Sequence, residues 1–257
     1  MKLTPGLKIL PCLALLALSA AAGFGAAADP LAAARALLKS PTLDLAQARQ
    51  ALTLGQEALA SGAAPRPAAL AQLARTCFIL GQMVPRKQSL AYYRMGKVYA
   101  DTLIYEAPDR VEGHYWLALN LCGQADVGGY LLGRRLLPRI VAELKRAVAL
   151  DETYDQAGAH RVLGRIYFEA PGWPMSVGDL HKSLQHLKAA VRLAPDTSTN
   201  RLYLAQTLYR LHYASLAQEE LERVLRCSQY AVKPQDLEDD RREARRLLAE
   251  IKAPGSP

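Results

Sequence analysis

Five histidines, four cysteines and a cluster of acids are the groups in this chain that could do chemistry, and their spacing argues against it. His181 and His186 are five residues apart, which on a helix turns them away from a common face, whereas metal-binding pairs favour i, i+4. His114, His160 and His212 stand apart from them and from one another. No Cys-x-x-Cys occurs, and no glycine-rich loop leads into a lysine that could cradle phosphate. Asp236, Glu238, Asp239 and Asp240 lie close in sequence, but acids collect at helix starts because the positive end of the helix favours them. A solvated helix start therefore accounts for all four. Asp126 and Asp179 could help hold a cation, yet Asp179 before Leu180 suits an N-cap and Asp126 beside glycines suits a turn. With no nucleophile–base pair and no metal set, the residues point to a protein that is not an enzyme, carries no cofactor or metal, and acts by binding.

What would bind is set by a repeated pattern. Leu163-Gly164-x-x-Tyr167 is followed by Ser183, Leu187, Ala190 and Pro195. Leu204-Ala205-x-x-Leu208 is followed by Ala217, Leu221 and Val224, and Leu117-Ala118-x-x-Leu121 by Ile140, Leu144 and Ala147. Small residues at fixed places let two antiparallel helices approach while large apolar ones fill the seam, which is the arithmetic of a tetratricopeptide solenoid. In such a solenoid the first helix of each repeat lines a concave face. Counting from the small residue, that lining is Tyr115 and Leu119, then Arg161, Arg165 and Glu169, then Leu202, Gln206 and Arg210. Arginine's planar fork can pair both oxygens of a carboxylate, so an organic acid or an acidic partner segment would fit. The competing reading pairs the same arginines with Glu169 and other local acids.

The elements that must position this face read as helix nearly throughout the chain after residue 30. Helices are expected over about 44–60, 69–83 and 86–105, closed by Pro108, then as pairs at 111–123 with 136–149, 156–169 with 179–193, and 198–211 with 214–227. A last helix over about 235–252 has one apolar side and reads as a cap. Its arginines 241, 242, 245 and 246 either answer its acidic start or offer a patch to anionic lipid. The fold class is thus all-α, a helical-hairpin solenoid with a C-terminal capping helix, divided into an N-terminal helical region at 29–108 and repeats with their cap at 109–257. Two repeats carry insertions in the turn between their helices: Gly123 to Gly133, and Glu169 to Asp179. Loops at equivalent turns emerge on one edge and often bind. Trp173, between two prolines in the second insertion, either plugs the neighbouring helix pair or stands out as an aromatic anchor. Trp116 reads as buried between helices, and Gly128, Gly129 and Gly133 as makers of a tight turn.

Residues 1–28 read as a secretory signal: Lys2 and Lys8, an apolar run from Ile9 to Ala22, then small residues before Asp29. The chain would be periplasmic after cleavage, and retention of the segment would instead make an inner-membrane anchor. Cys12 precedes the end of the apolar run and reads as a bystander rather than a lipid site. Of 257 residues, 32 are basic and 24 acidic, and losing Lys2 and Lys8 lowers the excess from +8 to +6. That moderate, unclustered charge does not suggest nucleic acid. Cys77, Cys122 and Cys227 would remain, an odd number at irregular spacing that gives no disulfide framework.

Residues from about 90 to 250 resemble a known family. The features are Ala107-Pro108, Tyr115-Trp116-x-Ala118, Ala149-Leu150-Asp151-Glu152-x-Tyr154, Ala159-His160-x-x-Leu163-Gly164, and Asp240-Arg241-Arg242-x-Ala244-Arg245-x-Leu247-Leu248. Together they resemble the tetratricopeptide-like T component (TAtT) of tripartite ATP-independent periplasmic (TRAP) transporters. The resemblance implies a periplasmic accessory that binds a hydrophobic or organic-acid ligand, or docks the transporter's substrate-binding protein. Binding would then involve Tyr115, Arg161, Arg165, Trp173, Gln206 and Arg210. A general periplasmic scaffold for an envelope complex, with no small-molecule site, is the alternative.

Overall fold

The structure, a computed structural model, describes residues 29–172 and 175–253. The expected signal segment with Cys12, and Trp173, lie outside the described residues. Ten helices follow in order: α1 Pro30–Leu38, α2 Leu45–Ser61, α3 Arg66–Met83, α4 Arg86–Glu106, α5 Val111–Leu150, α6 Tyr154–Glu169, α7 Leu180–Leu193, α8 Ser198–Arg210, α9 Ala214–Val224 and α10 Gln235–Ile251. Among the described residues there is no strand, only isolated bridges at Gly172–Gly178 and Thr197–Gln229. Consecutive helices pack on one another along the chain, as a solenoid requires.

Local sequence sets several helix ends. Asp44 and Gln47 form a reciprocal capping box at the start of α2, and Gly62 ends that helix in the left-handed conformation, where glycine carries no steric cost. Asp179 caps α7 by accepting from the backbone N–H groups of His181 and Lys182, as its place before Leu180 predicted. The seams are filled as the repeat pattern requires. Ala118, Ile140, Leu144 and Ala147 are buried together, as are Leu187 of α7, Leu208 of α8 and Ala217 of α9 where the last two pairs meet. A Cβ on Gly164 would sit 2.5 Å from Leu187 Cγ, so glycine there sets how closely α6 and α7 approach.

Two expectations are corrected. The Gly123–Gly133 insertion is not a loop. Helix continues through it from both sides, and only Gly129 leaves helical geometry, with φ 79° and ψ −175°. A Cβ on Gly133 would lie 3.7 Å from Ala125 Cβ, whereas eight residues of unbroken helix span about 12 Å. The chain therefore reverses at Gly129, and the inserted residues lengthen both arms of a hairpin. Asp126 accordingly sits on a helix rather than in a turn, and it accepts from Arg86. The second correction concerns the start of α10. Asp240 is buried, accepting from Ser198 Oγ at 2.7 Å and Thr199 Oγ1 at 2.6 Å. Three of the four arginines of α10 pair locally, Arg241 with Glu238, Arg242 with Asp239, and Arg246 with Glu243 and Glu250.

α10 packs on α8 and α9 as the expected cap, burying Ala244, Leu247 and Leu248 against Leu202, Leu221 and Val224. Leu202 is thus under the cap and not on the concave face. The stretch of chain before α10 reaches back across the molecule. Gln235 Nε2 donates to the carbonyl of Leu43 at 3.0 Å, and Val232 packs on both the central and the N-terminal apolar clusters.

Candidate binding trough

That return segment closes one side of a cavity of about 500 Å3. Its walls come from five parts of the chain. α3 contributes Phe78 and Gln82, and α5 contributes Tyr115, Leu119, Cys122 and Asp126, a stripe at helical spacing. α6 adds Arg161, Val162, Arg165, Ile166 and Glu169, α8 adds Thr199 and Tyr203, and residues 231–240 close the far side. The lining mixes apolar and charged side chains, and two of the charged ones, Arg161 and Asp240, are buried.

Of the residues expected to bind, Tyr115, Arg161 and Arg165 do meet in this trough. Gln206 stands behind it, its Oε1 2.7 Å from Arg165 Nη1. Arg210 is outside the lining, stacked 4.9 Å over Phe168. The arginines are not equivalent. Arg161 is 3 % exposed and fully engaged, with Asp155 Oδ2 at 3.3 Å, the Tyr115 hydroxyl at 3.2 Å and Asn200 Oδ1 at 3.2 Å. Burial disfavours its charge, but the neighbouring Tyr115 hydroxyl and Asp155 carboxylate leave its pKa raised. Tyr115 is itself 0 % exposed and donates to Asp155 at 2.6 Å. Burial, then the Asp155 charge, push its hydroxyl well above the ordinary phenol value.

Arg161 also holds an unusual turn. Asp155, Gln156 and Ala157 all have positive φ (51°, 59° and 59°) at the start of α6, a conformation that costs non-glycine residues energy. Arg161 Nη1 donates toward the carbonyls of Asp155 and Gln156, and Asn200 Nδ2 donates to the latter at 3.1 Å. Gly158 follows because a Cβ there would meet the Tyr115 hydroxyl at 2.3 Å.

Arg165 is different. Its side chain is 31 % exposed, it pairs with the more exposed Glu169 at 2.5 Å, and it stacks 4.6 Å over the ring of Tyr203. A rim ion pair of this kind is worth little and exchanges readily. Lys233, across the trough, is held by Asp236 at 2.8 Å. The carboxylates of Asp126, Glu169, Asp236, Asp239 and Asp240 outnumber the cations Arg161, Arg165 and Lys233 around the lining. Burial raises the pKa of Asp240, against the hydroxyls of Thr199 and Ser198 that favour its anion. The picture of three open arginines is therefore reduced to one that can re-pair.

Cys77, Cys122 and Cys227 are all unpaired, and burial pushes the thiols of Cys77 and Cys122 up to about 12, so neither is a reactive thiolate. Among the described residues no group of three metal-ligating side chains comes together and no helix is long and apolar enough to cross a membrane. A neighbouring cavity of about 460 Å3, which shares Cys122, Asp126, Ile166 and Glu169 with the trough, is lined by Tyr130 and Met175; both are exposed, as is Leu131 beside Tyr130.

A family model described as the TRAP transporter T-component matches residues 88–253, more than half of the chain. The fold is also that of a solved structure, a thermophilic TPR protein from Thermus thermophilus. That protein is 24 % identical, with a TM-score of 0.61, over 84 % of this chain and 96 % of its own. No curated protein matches the chain.

Proposed function

The chain belongs to the TRAP transporter T-component family, and from that premise and the chemistry of the trough we propose that it is an exported periplasmic accessory acting by binding alone. Its trough takes a ligand with an apolar body and one carboxylate. The body lies on Phe78, Leu119, Val162 and Ile166, and the carboxylate draws Arg165 away from Glu169. Arg165 is held for this by Gln206, which occupies Nη1, and by the ring of Tyr203 against its guanidinium, so a ligand carboxylate takes the place of Glu169 at Nη2 in a charge-assisted contact. The observation that carries the reading is a cavity of about 500 Å3 lined by Phe78, Leu119, Val162 and Ile166, with a single partly exposed, exchangeable arginine in its wall.

The same edge exposes Tyr130, Leu131 and Met175, aromatic and aliphatic groups of the kind that anchor protein contacts. They support docking of the transporter's substrate-binding protein there, so that ligand and partner meet at one mouth. Calorimetric titration with medium-chain and short organic acids tests the ligand reading. The expected result is saturable binding of apolar-bodied acids that Arg165→Ala weakens about tenfold or more, equivalent to the roughly 1.4 kcal/mol of one charged contact. No binding of any acid, or equal affinity in Arg165→Ala, removes it.

A further inference from the structure

A second cavity, of about 190 Å3, shares no lining residue with the trough. It lies between α1, α3 and the starts of α5 and α6, and its charge is one-sided. Arg35 faces it from α1, Lys39 from the residue that ends α1, Arg75 from α3 and Arg110 from the residue before α5, while Glu112 is its one carboxylate. Lys39 caps α1 with helical backbone geometry, four residues after Arg35, so the two fall on the same side. Glu112 is already taken, lying 2.5 Å from Arg110 Nη2. The other three cations have no ion-pair partner among the described residues.

Arg75 is the most telling of them. Its Nε is buried with no hydrogen-bond partner, and its guanidinium lies 5.7 Å over the indole of Trp116. A buried donor left without a partner in a native fold calls for an explanation, an ion being one of few. Concentrating like charges also raises the energy of the site until a counter-charge arrives. Beside Arg75, the Tyr154 hydroxyl accepts from Trp116 Nε1 at 2.9 Å, which leaves its own proton to donate into the cavity. Two guanidinium groups, an ammonium and a hydroxyl thus converge on a space too small for a large ligand.

We propose that this cavity is a binding site for a phosphate-type oxyanion, either free phosphate and its small monoesters or the phosphate of an anionic lipid headgroup. Phosphate brings up to two negative charges and several acceptor oxygens, so it can answer all three unpaired cations at once, which one carboxylate cannot. The trough reading neither requires nor excludes this site, since the two cavities have separate linings.

The test uses the purified chain in chloride buffer, with inorganic phosphate and glycerol 3-phosphate as soluble probes. Calorimetry and thermal shift are the readouts, with Trp116 fluorescence as a local one. Flotation with phosphatidylglycerol vesicles, against phosphatidylcholine vesicles, tests the lipid source. Two variants keep the result interpretable. Arg35→Gln with Lys39→Gln changes only exposed side chains. Arg75→Met removes a group whose Nε has no partner to lose, so without ligand its melting point is expected within about 2 °C of wild type. Saturable binding of a soluble probe, or of phosphatidylglycerol vesicles alone, weakened at least tenfold in both variants, supports the site and assigns its source. Failure of every probe to bind wild type, or equal binding in both variants, overturns it.

Discussion

Replacing Arg161 by methionine separates a structural arginine from a ligand-binding one. The guanidinium is 3 % exposed and meets Asp155, Tyr115 and Asn200 at 3.2–3.3 Å, as well as two carbonyls of the left-handed turn. Asp155 is only 16 % exposed, so after substitution its carboxylate stays mostly buried with the Tyr115 hydroxyl as its remaining side-chain donor. Removing one partner of a buried pair costs about 3–5 kcal/mol, because the other charge is left uncompensated. The lower end applies here, since Asp155 retains some contact with water. A loss of about 3 kcal/mol in a chain of this size lowers the melting temperature by roughly 6–12 °C. Urea unfolding followed by circular dichroism reads it directly. Asp155→Asn added to Arg161→Met should recover a large part, because it removes the stranded charge. A loss under about 1 kcal/mol, or no recovery in the double variant, would refute the claim that Arg161 is a strut.

The remaining expectations are independent of that one. His160 and His186 share a hydrogen bond between their Nδ1 atoms at 2.9 Å, which two imidazolium ions cannot make. Burial, then His160 and Lys145, lower His186 to about 4, and burial lowers His160 despite Glu152. Both folded values lie below the ordinary value near 6.5. The contribution to stability is therefore complete above pH 6.5 and lost as pH falls toward 4, by about 1–3 kcal/mol in unfolding experiments. His186→Leu should flatten that slope. Gly129→Ala, at a backbone geometry only glycine adopts comfortably, should cost about 1–3 kcal/mol in thermal melts. Gly164→Val should cost a similar amount by forcing α6 and α7 apart. Leu131→Asp, at a position 80 % exposed, should leave the melting temperature within about 2 °C of wild type while weakening capture of the substrate-binding protein.

The helix pairs were legible because close approach demands small residues at fixed intervals, and Gly164, Ala118 and Ala205 are where that demand falls. The N-terminal helix α1 was not. It has nine residues, too few for periodicity to show, and it exists because Leu31, Ala34 and Leu38 are buried by its neighbours. The glycines at 128, 129 and 133 suggested a loop, yet only Gly129 needs its freedom, and its neighbours remain helical. Part of the candidate trough was visible as Tyr115, Leu119, Arg161, Arg165 and Glu169 on repeat positions. Phe78, Gln82 and residues 231–233 were hidden, since they arrive from distant parts of the chain by tertiary packing. Tyr203 lies one position from Leu202, which repeat counting favoured and α10 covers. Whether Arg161 faces a ligand or a carboxylate turns on the left-handed residues Asp155 to Ala157, and no glycine or asparagine there signals them.

Titration of the purified chain with a medium-chain organic acid bears most directly on the trough as the working surface. Wild type is expected to give a saturable isotherm of one acid per chain, and Arg165→Glu, altering a half-buried residue of the lining, to weaken it at least tenfold without unfolding. An absent heat with wild type, or an isotherm that Arg165→Glu leaves unchanged, would contradict it.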